Sequence, residues 1–285
     1  MQLVDSHGHI QTRPFATDGG AVLAAARDAG LARILVPGFD VATTDAGLAL
    51  ARAHAGVHTS VGVHPHVAHE VDDAAWAGLT RLADDTLVVA VGETGLDFDR
   101  GFSPRDAQLA NLRRHLALAW QVRRPLILHC RSKAGMRDAQ DELLAELRSA
   151  GVGGAAWTER FGGRPPAVLH SFSGPVDYAE TALAMGCAIS FSGLVFRKGE
   201  EASAEVARIV PDHLLLTETD SPYLSPPGAD RRRNEPRWVE ITARWLAERR
   251  GVDPDALGEV LVAAYDRFTG TVSGRPLDTG AQQVG

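Results

Sequence analysis

The chain alternates short, nearly uninterrupted apolar runs with longer stretches in which apolar residues recur every three or four positions. The short runs are residues 2–5, 32–37, 58–63, 87–92, 126–130, 167–171, 188–191 and 214–217. Continuous apolar runs of this length fit strands buried on both faces, as in a parallel sheet covered by helices. The clearest helical stretch is 103–121. Ser103 is placed to cap it, Pro104 suits the first helical position and Asp106 suits the positive end. Leu109, Leu112, Leu116 and Trp120 then form one apolar stripe. Eight strand–helix alternations predict one α/β domain over residues 1–270, a TIM-like (β/α)8 barrel. Residues 151–166 are Gly-rich and long for a helix-to-strand connection, so an inserted surface loop is expected there, able to change access to the barrel mouth. Residues 271–285 read as a flexible tail.

The polar residues that follow these runs form a pattern of their own. His7 and His9 follow the first, His64 and His66 the third, Glu93 the fourth, His129 and Arg131 the fifth, His170 the sixth, and Glu218 and Asp220 the eighth. In a barrel all of these strand ends meet at one mouth, where active sites of this fold lie. His7 and His9 are two residues apart, so on an extended segment both imidazoles face one side. Neutral ring nitrogens mixed with carboxylates suit Zn, Mn, Fe or Mg better than a sulfur-loving ion. One catalytic ion is satisfied by about three protein ligands. The six candidates His7, His9, Glu93, His129, His170 and Asp220 are enough for two divalent ions sharing a carboxylate. Such a pair activates water and clamps the attacking and leaving oxygens, most naturally of a phosphate ester.

Composition narrows the setting. The 285 residues are 45% hydrophobic and 23% charged, an ordinary globular balance, with a net charge of −7. A wrapping DNA binder usually carries the opposite sign, so any nucleic-acid contact must be local. Cys130 and Cys187 have no metal-type spacing, which fits a reducing cytoplasm. No charged leader precedes an apolar segment, and no run is long enough to span a bilayer, so no membrane association is expected.

Taken together, "DSHGH", "GVHPH", "GETGLDF", "SPRDAQ", "LILHCR", "LHSFSG" and "TETDSPYLSP" followed by "RNEP" resemble the TatD family of metal-dependent deoxyribonucleases, in the amidohydrolase superfamily. The resemblance runs in family order from Val4 to about Phe268. It implies a TIM-like barrel, two divalent ions (Mg, Mn or Zn) and 3′-to-5′ hydrolysis of DNA, most naturally at single-stranded ends, and it leaves the choice between DNA and RNA open. It implies that His7, His9 and Asp220 hold one ion, that His129 and His170 hold the second, and that Glu93 bridges them. Thr94 departs from the larger apolar residue that the family often has.

Other residues carry narrower expectations. Asp220 and Glu93 are the catalytic carboxylates, with Asp220 both ligand and proton acceptor. Glu218 shares the side of Asp220 and is expected to orient a ligand. His64 and Arg131 are candidates for a phosphate oxygen. Arg231 and Arg233, in "RRRNEPR", are expected to reach the substrate backbone beside the mouth. His66 reads as a turn or surface residue. His54, His58, His69, His115 and His213 fall away from the mouth. Bases are expected to stack on Phe98, Phe172, Tyr223 or Trp238. Two rival readings keep the metals: a carboxyl-ester or amide hydrolase, for example on an aminoacyl-tRNA ester, and a scaffold that binds without turnover.

Overall fold

The structure, a computed structural model, describes residues 1–272 and 275–276. Eight parallel strands pair strictly in chain order. They are β1 (Leu3–Asp5), β2 (Leu31–Val36), β3 (Val57–Val61), β4 (Val88–Asp97), β5 (Leu126–Arg131), β6 (Ala167–Leu169), β7 (Ala188–Phe191) and β8 (Leu215–Thr217). The ring closes between β8 and β1, where Ser6 N donates to Thr217 O at 2.9 Å and Gly8 bridges Ser221 in parallel. Helices follow the strands: α1 (Gly19–Asp28), α2 (Val41–Ala53), α3 (Asp73–Leu82), α4 (Arg105–Val122), α5 (Asp138–Ser149), α6 (Ala155–Arg160), α7 (Val176–Ala184) and α8 (Ser203–Ile209), then α9 (Val239–Arg250) and α10 (Pro254–Thr269) after β8. Strand side chains such as Leu35, Val61, Ala90, Ile127 and Leu216 are fully buried, as the continuous apolar runs require.

Four expectations need correction. β4 does not stop at Gly92 but continues to Asp97. "ETG" lies past the expected strand end, yet here it is strand, packed so closely on β5 that a Cβ at Gly95 would stand 1.9 Å from His129 O. Gly92 and Gly95 both have φ near +135° (133° and 138°), which a side chain disfavours. Second, Ser103 does not cap α4. Its hydroxyl bonds His66 O and His69 Nδ1 instead, and Pro104 takes the capping position. Third, the stretch 151–166 is not an open loop. It contains α6, whose Trp157 is buried against Trp120 and donates to Ala150 O at 2.9 Å. It joins α5 to β6 at the strand starts, on the face opposite the mouth, so it does not control access. Fourth, Thr271–Val272 pairs with Arg275–Pro276, and the Thr271 hydroxyl reaches Asp266. The rest of the expected tail lies outside the described residues.

Two buried polar contacts tie α4 to the barrel beneath the site. Asn111 Nδ2 donates to Val63 O and to the hydroxyl of Thr94, which gives a polar partner to the residue that departs from the family pattern. His115 Nδ1 donates to Asn111 O at 2.7 Å, and Nε2 accepts from Val63 N at 3.0 Å, so the ring is neutral and holds the segment leading to His64. Burial lowers its pKa from 6.5 to about 4. The unfolded chain therefore takes up a proton here that the folded chain refuses. Stability from this group is complete above pH 6.5 and is lost as pH falls from 6.5 towards 4, by on the order of 3 kcal/mol. His115→Gln is expected to flatten that part of the melting-temperature profile. A variant with the wild-type slope between pH 6.5 and 4 would contradict this.

Candidate metal centre

The seam between β1 and β8 assembles the first half of the site. His9 N donates to Ser221 O at 2.7 Å, and Asp220 N donates to His7 O at 2.8 Å. Asp5 fastens the two strand ends from below. Its carboxylate accepts from His7 N, from Thr219 N and from the Thr219 hydroxyl, at 3.2, 2.9 and 2.6 Å. Burial pushes the Asp5 carboxyl up to about 8 in spite of these donors. Asp220 itself sits at φ +53°, a left-handed conformation that a non-glycine residue holds only where its surroundings enforce it.

Four donor atoms converge at this seam. His7 Nε2 lies 3.2 Å from His9 Nε2, 3.2 Å from Glu93 Oε2 and 3.9 Å from Asp220 Oδ1. His9 Nε2 lies 3.7 Å from Glu93 Oε2 and 3.5 Å from Asp220 Oδ1. Glu93 Oε2 is buried and accepts no hydrogen bond among the described residues. A buried carboxylate oxygen without a donor is costly. Donors about 2.1 Å from a four-coordinate cation stand about 3.4 Å apart, so this spacing fits one divalent ion.

The other carboxylate oxygen of Glu93 faces a second group. Oε1 lies 3.1 Å from His64 Nε2, 3.2 Å from His129 Nδ1 and 3.0 Å from His170 Nε2. The far nitrogen of each ring tells these three apart. His170 Nδ1 is held by Glu218 Oε1 at 3.1 Å, and His129 Nε2 by Asp97 Oδ2 at 3.0 Å. A ring that gives its far proton to a carboxylate presents its near nitrogen as a lone pair. His64 is arranged the other way. Its Nδ1 accepts from His66 N at 3.1 Å, which leaves a proton on Nε2 facing Glu93. His129 and His170 are thus built to ligate, and His64 to donate. Three groups of side chains (His7, His9 and Asp220; His7, Glu93 and His170; His64, His66 and His129) each bring donor atoms within 4.8 Å of one another.

Charge and burial compete throughout. Burial pushes the Glu93 carboxyl up, but His64, His170, His7 and His129 outweigh it and hold it well below the usual carboxylate range. Burial lowers His7, and it takes His64 down to about 4. Burial also opposes charge on His170, yet Glu93 and Glu218 raise it well above 6.5, and Asp97 and Glu93 raise His129. Asp220 is lowered because His9, His7 and His170 overcome its burial.

The mouth is an open cavity of about 590 Å³, a size usual for ligand clefts. His9, His64, Glu93, His129, Arg131, His170 and Asp220 line it, while His7 and Glu218 lie beneath. Arg231 and Arg233 do not. Arg231 is exposed, and Arg233 is held by Asp18 and Glu235 with its guanidinium 4.9 Å from the centre of the Phe15 ring. Phe172 is core, and Phe98 carries Arg105 on its face. Among the lining residues that escaped the sequence reading, two lie against His129. His66, expected as a turn or surface residue, faces the cavity from a 3-10 turn (Pro65–Val67), with Nε2 2.7 Å from Asp97. Asp97 is four residues beyond Glu93 on one strand, so alternation puts both carboxylates on the inward face. Extending β4 would have found it.

Comparison with known proteins agrees with this architecture. The family described as TatD related DNase matches residues 4–270. A relative from Erwinia billingiae, named 3′-5′ ssDNA/RNA exonuclease TatD, is 36% identical over 88% of this chain and 92% of its own. An uncharacterized metal-dependent hydrolase of Bacillus subtilis, YabD, is 32% identical over 86% of this chain and 90% of its own. The crystal structure of YjjV, a TatD homologue from Escherichia coli K12, superposes with a TM-score of 0.82 at 26% identity, covering 93% of this chain and 97% of that one. The chain belongs to the TatD-related DNase family.

Proposed function

We propose that the protein is a metal-dependent 3′-to-5′ exonuclease acting on unpaired ends of DNA, and on RNA by the same chemistry. The observation that carries this reading is the division of Glu93, with one oxygen turned to His7 and His9 and the other to His129 and His170. In this reading His7, His9 and Asp220 would hold one divalent ion and His129 and His170 the other, with Glu93 placed between the two groups. A bound pair of this kind would activate the attacking water and neutralise charge on the phosphoryl oxygens. Asp220, the site carboxylate at the open side of the seam, accepts the proton of that water. His64 donates its Nε2 proton to a phosphoryl oxygen, exchanging one acceptor, Glu93 Oε1, for another. Glu218 and Asp97 hold His170 and His129 in the ligating tautomer. The names of the Erwinia and Bacillus relatives support both the substrate and the metal dependence.

The cations around the mouth support a polyanionic substrate. The net charge is −7. Yet Arg13, Arg100, Lys133, Arg197, Lys198 and Arg231 are exposed on segments that follow barrel strands. None makes an ion pair or side-chain hydrogen bond among the described residues. Lys133 and Lys198 are the only lysines in the chain. Unpaired charge gathered on one face gives a local field that attracts phosphate despite the overall sign.

The test is an end-label assay with added Mn. A 5′-labelled single strand is expected to shorten stepwise from its 3′ end, a 3′-labelled one to release labelled mononucleotide at once, and a blunt duplex to resist. Chelator-sensitive cleavage of an aminoacyl ester with no action on either strand would overturn the reading in favour of the ester hydrolase.

A further inference from the structure

Five large hydrophobic side chains are exposed among the described residues: Phe102, Met136, Ile209, Tyr223 and Val252. The two aromatic ones, 62% and 61% exposed, both line the catalytic cavity. Leaving large rings in water forgoes the free energy of burying them, and exposed aromatic surface inside a cleft marks a binding face. Their places in the fold are related. Phe102 follows β4 and Tyr223 follows β8. In a closed ring of eight strands paired in order, these two are four positions apart, directly across the mouth.

Each ring is also fixed to the site. Phe102 meets His66 in a T-shaped contact with centroids 4.8 Å apart, and Tyr223 meets His9 in the same manner at 6.1 Å. His66 in turn is held by Asp97. An aromatic wall on each side of a cleft, anchored to the histidines at its floor, suits flat π-faces entering between them. Arg100, exposed and unpaired two residues before Phe102, lines the same wall and suits the phosphate that each base carries with it.

We propose that Phe102 and Tyr223 form a two-sided stacking clamp for the unpaired bases at the substrate terminus. The inference rests on the nuclease reading above and adds how single strands are chosen. Every base has a π-face, so the clamp accepts any sequence. A paired, stacked end cannot offer its faces to the walls, so the clamp selects against duplex. Phe102 and Tyr223 act by positioning the strand and take no part in proton transfer.

The experiment compares two labelled single strands, identical except that the last two 3′ nucleotides of one lack their bases. Both are presented to the wild type, Phe102→Ala, Tyr223→Ala and the double variant. Cleavage is read with Mn, and binding by fluorescence anisotropy in EDTA. The wild type is expected to lose roughly 10-fold or more in kcat/KM and in affinity on the abasic strand. The variants should show that loss already on the normal strand and little further loss on the abasic one, with Phe102→Trp and Tyr223→Phe restoring the difference. Equal handling of both strands by the wild type overturns the clamp, as does an equal loss by the variants on both. Failure to cleave either strand would count against the nuclease reading, while the anisotropy still decides the clamp.

Discussion

Glu93→Gln is expected to lower kcat/KM on a labelled single strand by about 1,000-fold or more, about 4 kcal/mol of transition-state stabilisation. The two carboxylate oxygens face different donor groups, three imidazoles on one side and two on the other. An amide of the same shape replaces one of those oxygens with a group that donates rather than accepts. It also removes the negative charge that two cations would share. The loss should fall mainly on kcat, with KM changing little, because substrate is held by the walls of the mouth. Calorimetric unfolding of the same variant separates lost chemistry from lost fold. A folded Glu93→Gln protein with near wild-type turnover would contradict the assignment.

Stripping and reloading the metal is expected to produce the second large effect. Dialysis against a chelator should abolish cleavage, and Mn or Zn should restore it. The donors are arranged in the folded chain and scattered in the unfolded one, so an ion that binds only the folded state stabilises it. With free ion at about 1,000 times Kd the gain is about 4 kcal/mol, which for a chain of this size raises Tm by on the order of 10 °C. The gain must shrink as pH falls. Glu93 with Glu218 raises the pKa of His170, and Asp97 with Glu93 that of His129, against the pull of burial, so the entering cation has to displace protons, and more of them as pH falls. A Tm unmoved by Mn or Zn at neutral pH would count against a built metal centre.

How much of this was legible in the sequence depended on where local pattern and tertiary packing agree. Apolar runs followed by histidine marked four of the eight strand ends, because a strand end at the mouth leaves the apolar core and can carry polar side chains into the cavity. Glu218 was legible by alternation with Asp220, and it meets His170. Asp97 was hidden because Gly92 and Gly95 look like punctuation. Their purpose is close approach to β5, a fact about a neighbouring strand that no local window contains. His66 does sit on a turn, as a proline before a histidine signals, and what local pattern could not show is that the turn faces the cavity and Asp97. The basic run 231–237 was legible as charge but not as geometry, since two of the groups that fix Arg233, Asp18 and Phe15, are more than two hundred residues away. Trp157 explains the stretch 151–166, where one buried aromatic turned an apparent loop into a packed helix.

The central claim is that one carboxylate serves two cations. Its most direct measurement is anomalous diffraction from crystals of the Mn-loaded protein. The account predicts two peaks in the mouth, one among His7, His9 and Asp220 and one beside His129 and His170, with Glu93 between them. A single peak, or a pair that does not share Glu93, would contradict it.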